Sequence, residues 1–173
     1  MTKLKNSIFV KKFSSLLPII LLYSSVLNNF DFNYLELKYF SFNFAYIIIF
    51  YYSLRKSLSL GYIYIFIAGL FNDVVIGTPI GLSSLSYLLL CGAAAYLRNI
   101  TLSPSLIKDW IFFLLTILIL NSLGFIVLTL IFNYEFNYID QLINVIFTFL
   151  FYLIFSHLFN FLDKFLLGNS NVG

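Results

Sequence analysis

Residues 69–81 read Gly-Leu-Phe-Asn-Asp-Val-Val-Ile-Gly-Thr-Pro-Ile-Gly and interrupt a long apolar run. This segment holds three of the eight glycines and one of the three prolines, and Asp73 is the one acid that sits inside an apolar run. Proline removes a backbone donor, and glycine permits backbone angles that other residues avoid. The segment therefore predicts a helix that carries Asp73 and is broken at residues 78–81.

The composition around this segment is that of a membrane protein. Hydrophobic residues make up 61% of the chain, aromatic residues 21% and charged residues only 10%, which lies far outside the range of soluble domains. The uncharged runs approach the ~20 residues that a helix needs to cross a ~30 Å hydrocarbon core. Because spanning helices satisfy their backbone groups internally, we expect an all-α membrane protein.

Six apolar runs predict a compact bundle of six transmembrane helices within a single integral membrane domain that covers residues 1–173. The predicted spans are 13–30, 39–54, 58–76, 82–97, 110–132 and 142–162. Short polar connections are expected at 31–38, 98–108 and 133–140, and a mobile tail at 163–173. A patch of small residues at 92–95 would let a neighbouring helix approach closely.

The basic residues indicate the orientation of these spans. Six spans bring both termini, the connection after residue 54 and the connection at 98–108 to one side. That side collects nine of the ten basic residues and leaves only Lys38 opposite: Lys3, Lys5, Lys11, Lys12, Arg55, Lys56, Arg98, Lys108 and Lys164. Cytoplasmic loops are enriched in Lys and Arg, so both termini are predicted to be cytoplasmic. The net charge of +3 is then a topology signal, and we expect no nucleic-acid partner.

The sequence offers no pattern of residues for catalysis. It contains one cysteine, Cys91, and one histidine, His157, and it lacks a nucleotide-binding loop and a pair of carboxylates at catalytic spacing. Cys91 lies in an apolar run and is interpreted as a small packing residue. We therefore expect a protein that is not an enzyme, with no catalytic residue, no cofactor and no metal site.

Asp73 has two interpretations on the sequence alone. Counting from Ser57, it lies 16 residues along the third span, or ~24 Å of a ~30 Å core, which places it near the outer interface. Gly69, Asp73 and Gly77 are spaced by four and would share one face while the helix lasts, with room for another helix or a loop, including one of a partner, to pack over the carboxylate. Alternatively, Asp73 caps the following turn by accepting hydrogen bonds from the amides at 77–81.

The pattern Gly69-x-x-x-Asp73-x-x-x-Gly77-x-Pro79-x-Gly81, in the third of six predicted spans, resembles the signature region of the MreD family of bacterial rod shape-determining membrane proteins. The length, the basic N-terminus and the short loops are also similar to that family. Two positions depart from its usual pattern. Ile80 stands where leucine is usual, and Asn72 precedes the acid.

The resemblance implies a non-enzymatic scaffold of the cell-elongation complex in the bacterial cytoplasmic (inner) membrane, where membrane lipid surrounds it. Such proteins bind MreC, a single-span periplasmic protein, and through it the polymerase and transpeptidase that synthesise peptidoglycan for the cell wall. The motif residues would shape the partner-binding surface or a shallow outer cavity: Gly69, Asp73, Gly77, Pro79 and Gly81.

The family fold is similar to that of the substrate-binding subunits of energy-coupling-factor vitamin transporters. A subunit of such a transporter is therefore the alternative function. It ranks second because the outer loops carry few polar side chains that could hold a vitamin.

Overall fold

The computed structural model describes residues 16–27, 41–55, 60–101, 105–133 and 138–168, and within these ranges the chain forms six helices and no strand. The predicted all-α class is confirmed for this part of the chain. The helices are α1 Leu16–Leu27, α2 Phe44–Arg55, α3 Tyr62–Ile76, α4 Leu82–Ile100, α5 Leu106–Phe132 and α6 Tyr138–Gly168.

Two of the helices, α5 and α6, are long and apolar enough to cross a membrane. In each, only 28% of the most apolar 18-residue window is buried. A core helix of a soluble protein would bury most of such a surface, whereas lipid accepts apolar side chains. The arrangement with six spans stays a prediction.

Three helices extend beyond the predicted apolar runs. α4 ends at Ile100 instead of residue 97, α5 begins at Leu106 instead of residue 110, and α6 occupies Tyr138–Gly168 instead of 142–162. The polar connections predicted at 98–108 and 133–140 and the tail predicted from residue 163 are therefore wrong where these helices continue. Hydropathy reports the side chains, whereas helical hydrogen bonds join backbone groups and continue through polar residues.

Several sequence predictions lie outside the described residues. They include the basic N-terminus, the ends of the first three predicted spans at 13–15, 28–30, 39–40 and 58–59, the connection at 31–38 and the last residues of the tail, 169–173.

Helix α2 lies at the centre of the bundle. Every residue from Ala45 to Leu54 is buried, so this helix has no face open to solvent or lipid. Its aromatic rings pack on both α5 and α6. The centroid of the Phe50 ring lies 5.0 Å from that of Phe113 in α5 and 5.7 Å from that of Tyr152 in α6. A helix buried on all sides needs apolar residues all round, as the sequence of α2 supplies.

The helix ends meet in two groups. The Nη2 atom of Arg55, at the end of α2, lies 3.4 Å from Oδ2 of Asp109 in the first turn of α5. Arg98, near the end of α4, donates from Nη1 to the backbone oxygen of Ser53 at 2.9 Å. We call this group, Arg55, Arg98 and Asp109, the arginine end. The turn between α3 and α4, which we call the Asp73 end, lies at the opposite end of α4, about 27 Å away at 1.5 Å per residue.

Candidate functional site

The carboxylate of Asp73 caps the beginning of α4. Its Oδ2 atom accepts a hydrogen bond from the backbone N–H of Gly81 at 2.7 Å, and its Oδ1 atom accepts one from the N–H of Ser83 at 2.9 Å. The hydroxyl of Thr78 also donates to Oδ1, at 3.0 Å. The first N–H groups of a helix have no partner within it, and the helix dipole favours a negative charge there. Asp73 is fully buried, so these three hydrogen bonds replace those that its carboxyl oxygens would make with water.

The backbone of the turn depends on two glycines in left-handed conformations. Gly77 ends α3 with φ 78°, and Gly81 precedes α4 with φ 103°. The N–H groups of Gly77 and Thr78 both donate to the backbone oxygen of Asp73, at 2.9 and 3.0 Å. Pro79 contributes its backbone oxygen, which accepts from the N–H of Leu82 at 3.2 Å. Residues with a Cβ adopt these positive φ angles only at an energetic cost, so glycine fits both positions.

Gly69 permits the close approach of α3 and α4. A Cβ at this position would lie 2.4 Å from the Cα of Ser84 and 2.6 Å from its backbone nitrogen. The Ser84 hydroxyl donates to the backbone oxygen of Phe66 across the same contact, at 2.9 Å. The room expected beside the carboxylate is therefore occupied by the first turn of α4.

Gly77 does not share the packing face of Gly69 and Asp73. Among the described residues, nothing lies within 4 Å of a Cβ built on Gly77, and the residue is exposed at the end of α3. The shared face was predicted only for as long as the helix lasts, and α3 ends at Ile76, directly before Gly77.

Four polar residues of this site were missed in the sequence: Asn72, Thr78, Ser83 and Ser84. The side-chain amide of Asn72 donates to the Ser83 hydroxyl at 2.9 Å and adds a second link between α3 and the beginning of α4. The available signal was the pair of serines directly after Gly81 and Leu82, because small polar residues in a first helical turn can bond to a preceding segment.

A cavity of about 130 Å³ lies beside Asn72, at the Asp73 end. Its polar lining includes three amide side chains, those of Asn43, Asn72 and Asn144. The Oδ1 atom of Asn43 accepts from the N–H of Tyr46 in the first turn of α2 at 3.1 Å, which is a local cap, and Nδ2 of Asn144 in α6 donates to the Ser41 hydroxyl at 3.1 Å. The amides of Asn72 and Asn144 thus link different segments of the chain around a space of only a few water molecules.

The surface of the turn is apolar. Ile80 is 76% exposed at its tip, and Ile76 is 50% exposed on the last turn of α3. Because the polar groups of the turn bond inward to Asp73, the outer surface presents these two side chains in a fixed geometry.

Within the described ranges, the residues that commonly bind metals do not cluster into a site. No group of three or more His, Cys, Asp or Glu residues there could hold a metal ion. Cys91 is buried in α4 and accepts a hydrogen bond from the Ser53 hydroxyl at 3.2 Å, which agrees with its interpretation as a packing residue. His157 is exposed on α6.

Comparison of the chain with protein-family models, with curated proteins and with solved structures gives no match. The resemblance to the MreD family therefore depends on the motif residues and on the hydropathy of the chain.

Proposed function

We propose that this protein is a non-enzymatic membrane scaffold of the bacterial cell-elongation complex, which maintains rod shape by binding an MreC-like partner and thereby supports peptidoglycan synthesis. The observation that carries the proposal is the turn built by the motif residues. Gly69 accommodates α4, Asp73 caps it, and Gly77 and Gly81 supply the left-handed angles on either side of Pro79. A turn fixed in this way is suited to holding a binding surface.

We further propose that the chain crosses the bacterial cytoplasmic membrane six times, with both termini in the cytoplasm. The distribution of Lys and Arg supports this orientation. The exposed apolar surfaces of α5 and α6 also support a lipid environment, since few soluble proteins leave such surfaces open to water. The Asp73 end would then lie at the outer interface, and the arginine end at the cytoplasmic interface.

The partner would contact the tip of the turn. Asp73 is fully buried and accepts bonds from three groups of its own chain, which favours a capping role over direct contact with the partner. The exposed side chains of Ile76 and Ile80 offer an apolar surface instead. In this account the carboxylate acts on binding indirectly, by fixing the position of that surface.

The cavity at the Asp73 end is small for a vitamin, the ligand that a transport subunit would hold. The described residues enclose about 130 Å³, whereas sites for small organic ligands usually measure about 300–1,000 Å³. A larger cavity of about 360 Å³ lies between α5 and α6, with Asn121, Ser122 and Gln141 in its lining, so cavity size alone does not exclude a transport subunit. The scaffold remains the first proposal because of the turn described above.

Affinity purification of the tagged full chain in a mild detergent tests the proposal. Recovery of a single-span protein with a periplasmic domain, together with loss of rod shape when the chain is depleted, is the expected result. Recovery of an ATPase module with a bound small molecule would identify a transport subunit and overturn the scaffold proposal. The matched variants are Ile80→Ser, which we expect to lose the partner, and Ile154→Ser on α6, where the side chain is 61% exposed and the partner should be retained.

A further inference from the structure

A second cavity, of about 250 Å³, lies at the arginine end. It is lined by the ends of α2 and α4, by the residue that follows α4 and by the first turn of α5: Leu54, Arg55, Arg98, Thr101 and Asp109. Two guanidinium groups and one carboxylate face a common space there, and the lining carries one net positive charge. This cavity is on the opposite side of the bundle from the motif at residues 69–81.

The guanidinium groups retain unused hydrogen-bonding capacity. Each has five N–H donors in a planar fork. In the described part of the chain, Arg98 donates to the backbone oxygen of Ser53 at 2.9 Å, and Arg55 contacts Asp109 at 3.4 Å. The second distance is longer than the ~2.7–2.9 Å of a strong bond between a guanidinium and a carboxylate. Several donors on both side chains therefore remain for a further acceptor in the cavity.

We propose that this cavity binds the phosphodiester of an anionic phospholipid. The planar fork of arginine matches the oxygens of a phosphate, and the lining has the net positive charge that an anion requires. Ile100 and Ile107, at the same helix ends but outside the cavity lining, are 56% and 67% exposed, as expected where lipid surrounds the bundle. Basic pockets between helices at the membrane surface are a general means of binding lipid headgroups.

This inference rests on the membrane location proposed above but not on the partner. Its test uses the purified chain alone, so a negative result would leave the scaffold proposal intact, and failure to recover a partner would leave the lipid site intact.

The experiment titrates phosphatidylglycerol into the full chain in a neutral detergent and measures the Kd of the bound lipid by native mass spectrometry. Arg98→Gln should weaken binding by roughly tenfold, the effect of losing one charge-assisted hydrogen bond. Lys164→Gln is the matched control, because it removes one positive charge from an exposed position on α6 outside the cavity lining and should leave the Kd within about twofold of the wild type.

Circular dichroism without lipid checks that each variant is folded. If Arg98→Gln does not fold, Arg98→Lys replaces it, because lysine keeps the charge but lacks the planar fork and should still bind the lipid more weakly than the wild type. An unchanged Kd in the folded Arg98 variant overturns the proposal, as does an equal loss of affinity in Lys164→Gln. Equally tight binding of phosphatidylcholine would refute the selection for an anionic lipid. Competition by inorganic phosphate at the same concentration as the lipid would show a site for free phosphate and would also overturn the proposal.

Discussion

Replacing Gly69 with alanine tests the contact on which the turn depends. The added Cβ would lie 2.4 Å from the Cα of Ser84 and 2.6 Å from its nitrogen, whereas ordinary contacts begin at 3.4 Å. Both neighbouring atoms belong to the backbone, so no side-chain rotation relieves the overlap. The two helices must separate by about 1 Å, since the shortfall is the difference between 3.4 and 2.4 Å.

The energetic cost follows from this separation. Forced overpacking typically costs about 1–3 kcal/mol. A 1 Å movement also lengthens the bond from Ser84 Oγ to the Phe66 oxygen and the bond from the Ser83 N–H to Asp73, both 2.9 Å long, beyond the hydrogen-bonding range. Each lost bond costs about 1 kcal/mol, so Gly69→Ala should lower the free energy of unfolding by about 3–5 kcal/mol.

Trp110 provides the assay. It is the only tryptophan, its Nε1 donates to the backbone oxygen of Phe149 at 2.9 Å, and its ring stacks on that of Phe149 at 4.2 Å. Its fluorescence should therefore report unfolding as sodium dodecyl sulfate is titrated into mixed micelles, from which the free energy of unfolding is obtained.

Gly92→Ala is the matched control for this measurement. Among the described residues, nothing lies within 4 Å of a Cβ at Gly92, and alanine in a helix is about 0.5–1 kcal/mol more stable than glycine. The control should therefore be as stable as the wild type or slightly more so. A Gly69→Ala protein with wild-type stability, or an equal loss in both variants, would refute the close approach of α3 and α4.

Three further substitutions test the turn by the same unfolding titration. Asp73→Asn should lower the free energy of unfolding by about 1–3 kcal/mol, because the amide has one acceptor oxygen and would place its N–H₂ against the N–H of Gly81 or that of Ser83. It should also weaken partner recovery without preventing membrane insertion. Wild-type stability and recovery would mean that the charge is dispensable. Gly77→Ala should lower the free energy of unfolding by about 1–2 kcal/mol, because residue 77 has a positive φ. The control Gly124→Ala, at a helical position with open space, should not lower it. Equal stability of the two variants would contradict the left-handed conformation at the end of α3. Thr78→Val removes the single hydrogen bond to Oδ1 of Asp73 and should lower the free energy of unfolding by about 1 kcal/mol. A decrease as large as that of Asp73→Asn would contradict the role given to this one contact.

The break at residues 78–81 could be predicted from the sequence because its causes are local. Glycine and proline restrict or free the backbone at their own positions, so Gly77, Pro79 and Gly81 indicate a turn without knowledge of the fold. The cap could be given as one of the two interpretations of Asp73 for the same reason, namely that it is local. The amides that the carboxylate binds follow within ten residues.

The remaining contacts depend on residues far apart in the chain. Arg55 and Asp109 are separated by 54 positions, and no local pattern pairs them. The small-residue patch at 92–95 was expected to pack closely on a neighbouring helix, but no local pattern shows which of its residues does so. Ala94 of this patch is buried on the inward side of α4 with Ser84 and Tyr87, whereas among the described residues nothing lies within 4 Å of a Cβ at Gly92. Which face of an apolar helix is buried depends on the packing of all its neighbours.

Photo-cross-linking from position 80 tests the proposed role most directly. A photoreactive amino acid replaces Ile80 in the full chain in cells, and a second strain carries it at Ile154, which is also exposed but lies on α6. The scaffold account predicts that position 80 yields one major protein product, a single-span protein with a periplasmic domain, and that position 154 does not yield it. Absence of a protein product at position 80, or the same product from both positions, would contradict the account.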